Sequence, residues 1–290
     1  MILILGATGM FGSRVLRETA ATGAPVRALV RSPARAEALP DVGAETAIGD
    51  LDSPESLDRG FAGVHTVFVV SPMDDRIQVR EMNALEAARR AGVQRIVKLY
   101  GAVRHRGDSL DTLHVASIEA IKTSGLEWAL VSPNSVMETS LLSQVEFIKA
   151  AGALIAPAGE GRVGLVAADD VARAAAVILT EGGEPGANYE LTGPEALTMG
   201  EMATALSEAL GRQIAYVDMP EDEFRRILVE EGGIPADRVD IEVMLHFAAW
   251  KRGDADLVTD TYRSLTGNEP MGVAEWAAAN SDRFPAAPPV

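Results

Sequence analysis

The chain contains no cysteine. Disulfides, thiolate metal sites and a cysteine nucleophile are therefore excluded. Histidine is scarce as well: His65, His105, His114 and His246 lie scattered along the sequence, without the ligand spacing of a zinc site, and no metal centre is expected. Positive charge is outnumbered, with 26 Lys and Arg against 42 Asp and Glu and a formal net charge of −16. A polyanion would be repelled, so neither nucleic acid nor an anionic membrane is an expected partner. No apolar run reaches membrane-spanning length, and no basic segment precedes the apolar N-terminus as it would in a secretory signal. Aromatic residues make up only 5% of the chain, and neither repeats nor low-complexity segments stand out. The expected setting is cytoplasmic and the expected partner a small molecule, with monomer and homodimer both left open.

What is present begins at once. Met1–Leu5 is an unbroken apolar run, as in a strand buried on both faces of a parallel sheet. Gly6-Ala7-Thr8-Gly9-Met10-Phe11-Gly12 follows, and Val15 and Leu16 open a helix-like pattern. Strand, glycine-rich turn and helix is the arrangement that receives a dinucleotide pyrophosphate. One glycine turns the chain, a second admits the phosphates, a third lets helix and strand pack, and the helix N-terminus presents free N–H groups.

Strand and helix signals then alternate. Pro25–Val30 reads as a second strand, followed by a short helix with Ser32 as N-cap and Pro33 at its first position. Ala44–Ile48, His65–Val70, Arg95–Leu99 and Glu127–Val131 read as further strands. Helices are expected after Ser53-Pro54, over Ile77–Ala91 and over Thr112–Thr123. This alternation implies an α/β fold: a Rossmann-type, doubly wound parallel sheet with right-handed crossovers. After Ser132 the pattern changes. Ser135–Ala151 reads as one helix, Ala156–Gly164 as a glycine-rich segment, and Asp169 or Asp170 as the cap of a helix through Leu179. Ala187–Leu191 and Gln213–Val217 are expected strands, and Thr198 with Glu201 fits a capping box for a helix to Leu210. The division expected is a nucleotide-binding domain over residues 1–155, to which segments near 160–192 return, and a smaller, mostly helical substrate lobe over 193–290. Pro285–Val290 reads as a frayed end.

Arg31 ends the second strand about 20 residues after the glycine motif, where NAD-binding folds commonly carry an acidic residue for the ribose 2′-hydroxyl. A guanidinium there suits a 2′-phosphate instead, with Arg35 as a second contact, and points to NADP(H). Asp50 and Leu51 follow the third strand, one able to accept from the adenine amino group and the other to pack on the ring. Ser71 and Pro72 end the fourth strand, near the expected nicotinamide ribose. Thr8, Met10 and Phe11 belong to the phosphate turn.

The ordered words GATGMFG, LVRSP, GDLDSPESL, VQRIVKLYGA, SGLEWALVSPNSVMET, VAADDVARAAAVIL and YELTGPEALTMGEMA, with LTGNEPMGVAEWAAAN near the end, resemble the NmrA-like branch of the atypical short-chain dehydrogenase/reductases. That branch includes NAD(P)H:quinone-oxidoreductase-like enzymes and redox-sensing regulators. The resemblance implies that Gly6, Gly9 and Gly12 hold the pyrophosphate, Arg31 the 2′-phosphate and Asp50 the adenine, with Pro133 and Asn134 against the nicotinamide. Asp169-Asp170 matches a family helix start and reads as structural. The chain departs from typical short-chain dehydrogenases at their Tyr-x-x-x-Lys pair, where His114 and Ile118 stand. Lys98 and Tyr100 share one face of the fifth strand. Lys98 is assigned to the cofactor, and Tyr100 and His114 are the candidate catalytic groups, each able in principle to give a proton. Arg89, Arg90, Arg95, Arg104 and Arg106 read as a solvated basic face. Met137, Phe147, Phe224, Met244, Phe247 and Trp250 suit either an apolar substrate or the core of the lobe. The reading of function is an NADPH-dependent reductase of a small hydrophobic or aromatic acceptor such as a quinone, enone or imine. The alternatives are a non-catalytic redox sensor and a redox-neutral isomerase or cyclase.

Overall fold

The structure is a computed structural model and describes residues 1–284; the expected frayed end, Pro285–Val290, lies outside the described residues. In chain order its first half comprises β1 (Ile2–Ile4), α1 (Met10–Ala21), β2 (Val26–Val30), α2 (Pro33–Ala36), β3 (Glu45–Ile48), α3 (Asp58–Phe61), β4 (Thr66–Val69), α4 (Ile77–Ala91), β5 (Arg95–Leu99), α5 (Ser109–Lys122) and β6 (Glu127–Pro133). The second half holds β7 (Ser135–Val136), α6 (Met137–Ser140), α7 (Val145–Ala151), β8 (Ala153–Ala156), β9 (Leu165–Val166), α8 (Ala168–Glu181), β10 (Ala187–Leu191), α9 (Met199–Leu210) and β11 (Ala215–Asp218). It ends with α10 (Glu221–Arg226), α11 (Ala236–Val239), α12 (Leu245–Arg252), α13 (Thr261–Thr266) and α14 (Val273–Ala279).

Seven strands form one parallel sheet in the order β10-β6-β5-β4-β1-β2-β3, a doubly wound Rossmann-type arrangement. β1, β4 and β5 are buried along their whole length, as expected of central strands covered by helices on both faces. The strand order reverses beside β1, between β2 and β4, so the carboxyl edge there opens into a crevice.

The expected single helix over 135–151 is instead broken. Ser135 and Val136 pair with Leu165 and Val166, and Leu142–Gln144 tightens into a 3₁₀ turn before α7. Gln144 is buried there and its side-chain oxygen accepts from the Ile155 N–H at 2.8 Å, a long-range bond with no local sequence signature. Helix α8 starts after Ala167 rather than at a capping aspartate. The Glu138 carboxylate accepts from its Ala168 N–H at 2.9 Å, while Asp169 pairs with Arg14 and Arg17. Asp170 is buried, accepts from Met271 N at 2.8 Å and pairs with Arg173, so it fastens the chain's last segment to α8. The capping box at Thr198 and Glu201 forms as the residue pattern predicts.

The apolar side chains gather mainly around the sheet and in a separate second core. The latter draws on Met137–Ala167 together with Met199–Phe284, so the chain between 137 and 155 packs with the later lobe rather than with the sheet. Met137, Phe224, Phe247 and Trp250 are buried in it. Phe147 and Met244 pack against it, and Phe224 meets Phe247 edge to face at 5.7 Å. Helix α8 and β10 return to the sheet, and α13 packs against both. Among the described residues no helix is long and apolar enough to cross a membrane.

Candidate functional site

A cleft of about 480 Å³ runs along the carboxyl edge of the sheet. Its floor is the turn between β1 and α1. Gly6 has φ +62°, and a side chain there would strike the Val70 carbonyl at 2.7 Å. A Cβ on Gly12 would lie 2.1 Å from the Gly6 oxygen, so this glycine is needed for α1 to pack on the turn. Gly9 differs. It is extended, exposed and lines the cleft; a Cβ there would meet only the Gly6 oxygen, at 3.2 Å. Its bareness serves the cleft more than the fold.

Strand order spreads the remaining groups along the cleft. On one side, at the ends of β2 and β3, stand Arg31, Arg35, Asp50 and Leu51. Arg31 and Arg35 are exposed and, among the described residues, make no ion pair, although most arginines of this acidic chain are paired. Asp50 spends one carboxylate oxygen on the Asp52 N–H at 3.0 Å, closing its own turn, and keeps the other. On the other side stand Ser71 and Pro72 at the end of β4, Leu99 and Gly101 at β5, His114 from α5 and Thr139 from α6. Met73, Ile77 and Arg80 complete that wall. Arg80 bonds Asp52 at 3.0 Å and Asp74 at 2.7 Å, and Arg76 also bonds Asp52. These pairs tie the loop after β4 to the loop after β3.

Among the described residues, two buried polar atoms of this cleft lack a partner: the Ser71 hydroxyl and His114 Nε2. Buried polar atoms are nearly always satisfied, so such orphans mark a place for a ligand. Glycine bareness, unpaired guanidinium groups and orphaned polar atoms together fit an extended, anionic dinucleotide. Gly6, Thr8, Gly9, Met10, Phe11, Gly12, Arg31, Arg35, Asp50, Leu51, Ser71 and Pro72 all line the cleft, as does His114.

Four expected site residues lie off it. Lys98 is wholly buried behind His114. Tyr100 is nearly buried, donates its hydroxyl to Asp111 at 2.7 Å and meets the His114 ring edge-on at 5.5 Å. Burial and the neighbouring Asp111 push its phenol above the ordinary range. Pro133 sits within β6, paired with Leu191. Asn134 donates to the carbonyls of Gly164 and Ala255 and accepts from Arg104, so its side chain fastens β6 to two distant loops.

Glu81 joins the site without being among the residues expected there from the sequence. It lies on the buried stripe of α4 with Ile77, Ala84, Leu85 and Ala88, and a carboxylate on an apolar stripe is the signal that would have found it. Glu81 lines the cleft, pairs with Lys98 Nζ at 2.5 Å and accepts from the Ser117 hydroxyl at 2.5 Å. Lys98 Nζ in turn stands 3.4 Å from His114 Nδ1. Burial, then the Lys98 charge, pushes His114 down to about 3, so the imidazole facing the cleft is neutral.

The comparisons with known proteins agree with this geometry. The model of the NmrA-like family matches residues 1–257. The NAD(P)H azoreductase of Xenophilus azovorans is 34% identical over 290 residues, covering 99% of this chain and 100% of that protein. The NADPH complex of quinone oxidoreductase QOR2 from Escherichia coli superposes with a TM-score of 0.86 at 27% identity, over 96% of this chain and 99% of that one. Triphenylmethane reductase of Citrobacter sp., complexed with NADP(H), does so with a TM-score of 0.86 at 28% identity, over 97% and 100% of the two chains.

Proposed function

This chain belongs to the NmrA-like family, and on that premise we propose that it is an NADPH-dependent reductase of small aromatic acceptors such as quinones or dyes. It is an NAD(P)H-dependent oxidoreductase, and its cofactor is NADP(H). The observation that carries the proposal is the order of groups along one sheet edge: unpaired arginines at β2, a bare glycine turn at β1, and an unsatisfied neutral histidine beside β5. The turn at Gly6–Gly12 would hold the pyrophosphate, Arg31 and Arg35 the 2′-phosphate, Asp50 and Leu51 the adenine, and Ser71 the ribose nearest the reacting ring. When bound, the cofactor supplies the hydride.

The protein's own part is positioning and exclusion of water. The cleft offers an acceptor Leu99, Gly101, Met73, Ile77 and Thr139, a mostly apolar wall on which a planar molecule packs. His114 Nε2 is the polar group that faces such a molecule without an internal partner. The test is NADPH oxidation, followed at the nicotinamide absorbance band, with a quinone, an azo dye, a triphenylmethane dye and a simple ketone. Turnover of an aromatic acceptor in preference to the ketone is expected. Tight NADPH binding by calorimetry without turnover of any of the four overturns the reductase reading.

A further inference from the structure

Behind the cleft lies a row of charged and polar groups that a hydrophobic core has no need of. Lys98 from the centre of β5 is fully buried, and so is Glu81 from α4; Ser117 and His114 from α5 complete the cluster. Placing a lysine and a glutamate inside a protein is costly, and replacing such a pair by apolar residues is often neutral or stabilising. The geometry shows what this pair does. The Glu81 carboxylate receives Lys98 Nζ on one oxygen and the Ser117 hydroxyl on the other. Burial pushes Lys98 below its ordinary range, and the Glu81 carboxylate bonded to Nζ opposes that shift by favouring the ammonium as donor. The other polar side-chain group within reach of Nζ is His114 Nδ1. An ammonium has only donors to give, so Nδ1 must accept, and the imidazole hydrogen is then on Nε2. Nε2 is the orphaned atom in the cleft wall. The other charged or titratable groups near the ring are Tyr100 just after β5, edge-on to it, and Asp111 on α5, which accepts the Tyr100 hydroxyl and so does not compete for the imidazole.

We propose that Glu81 and Lys98 are positioning residues that hold His114 as the Nε2–H tautomer, and that this N–H is the proton donor to the reduced acceptor. The role rests on the reductase reading given above. Once the acceptor has been reduced to its anion, the His114 Nε2–H bond breaks and its electron pair stays on the ring. A bond forms between that hydrogen and the acceptor's anionic oxygen or nitrogen. A Lys98 N–H hydrogen passes to Nδ1 as this happens, so no imidazolate is left. Water entering the emptied cleft gives a proton to Nε2 and leaves as hydroxide, and the Nδ1 hydrogen returns to Lys98 and restores the ammonium. The neutral ring suits this task better than an imidazolium, which the adjoining ammonium would repel.

The tautomer is read directly from ¹⁵N-resolved imidazole spectra of His114, without cofactor or acceptor, from pH 5 to 9. A single Nε2–H form across that range is expected, and an Nδ1–H form overturns the proposal whatever the protein's activity. The second measurement uses Lys98→Met/Glu81→Gln, which removes both buried charges together and avoids leaving either alone. It should bind NADPH as the wild type does, show mixed His114 tautomers, and lose kcat by about 10²-fold with little change in KM for acceptors whose reduced anion is strongly basic. The loss should be several-fold smaller for a quinone, whose reduced anion needs a donor less. Unchanged kcat on both acceptors in a variant whose NADPH affinity is intact overturns the proposal. Should the double variant not fold, the wild-type tautomer decides it. Failure of wild-type NADPH binding would instead strike the functional reading, since the tautomer measurement does not depend on it.

Discussion

Gly9 and Gly12 stand three residues apart and respond differently to a side chain. At Gly12 any Cβ collides with the Gly6 backbone, whereas at Gly9, which lines the cleft, it meets one tight neighbour at 3.2 Å. Gly9→Val should therefore fold with little loss of thermal stability and lose NADPH affinity by about 10²-fold, roughly 3 kcal/mol, because the branched side chain fills the phosphate path. Unchanged affinity in a folded variant, measured by calorimetry, would contradict this. Arg31 is the second residue-scale test. It is exposed and unpaired at the rim, so its charge is free for a phosphate. Arg31→Asp should weaken NADPH by about 1.5–3 kcal/mol, the worth of a charged hydrogen bond, and leave NADH unchanged or tighter. A wild type that prefers NADH would sink the assignment.

At the scale of elements, the loop between β4 and α4 decides whether the cleft has a second wall. Ser71, Pro72 and Met73 belong to that loop, and nothing apolar anchors Asp74, Asp75 or Arg76, which are all exposed. Its hold is electrostatic: Arg80, largely covered, bonds Asp74 and Asp52, and Arg76 adds a bond to Asp52. Hydrogen bonds to these arginines keep both carboxyl groups below the usual range, although burial opposes this at each of them. Arg80→Ala frees the loop in the unliganded protein, and the cost of ordering it moves into the binding step. NADPH affinity should fall roughly fivefold, about 1 kcal/mol, with melting temperature nearly unchanged. Parallel calorimetry and thermal denaturation check both halves. A variant that binds as tightly as the wild type would show that the loop is held by its backbone alone.

At the scale of the whole molecule, the later lobe meets the sheet through apolar packing of Ile241 and Leu245 on Tyr100, Val103 and Ile118 and through polar contacts, and one of these contacts makes stability depend on pH. His105, in the loop after β5, donates its Nδ1–H to the Asp108 carboxylate at 2.9 Å, and its Nε2 lies 2.9 Å from Nδ1 of His246 on α12. Burial, then His105, pushes His246 down to about 4, as burial and Lys98 push His114 down to about 3. The unfolded chain takes up these protons near 6.5, and the folded one does so only near 4 and 3. The unfolded state thus binds more protons in that window. The histidines' contribution to stability is complete above about 6.5 and falls as pH drops toward 4, by at most about 1.4 kcal/mol per unit for each histidine. The carboxylates with lowered values act below about 4.5. Urea unfolding at pH 7, 6 and 5 therefore isolates the histidines, and His246→Asn should flatten the curve. A slope unchanged by that substitution would rule out His246 as its source.

The sequence by itself determined the sheet and the class of cofactor. Both are local: apolar runs of strand length, the glycine spacing at 6, 9 and 12, and charge placed a fixed distance along the next strand-and-turn unit are all readable in short windows. Helix ends with strong chemistry, such as Thr198 with Glu201 and the glycine after Ala91, were legible for the same reason. Only the tertiary structure decided what the polar residues beyond those motifs do. Lys98 and Tyr100 share a strand face, but whether they meet a ligand or each other's neighbours depends on where α4 and α5 lie. Those helices bring Glu81 to Lys98 and Asp111 to Tyr100. Asn134, expected at the nicotinamide, is taken up by carbonyls at 164 and 255 and by Arg104. The break of residues 135–151 into strand, turn and helix follows from pairing with residues 155, 165 and 166. Each of these outcomes is a choice among hydrogen-bond partners far apart in the chain. Local propensity carries no term for such partners, and the cost of leaving a buried polar group unpaired makes the choice strict.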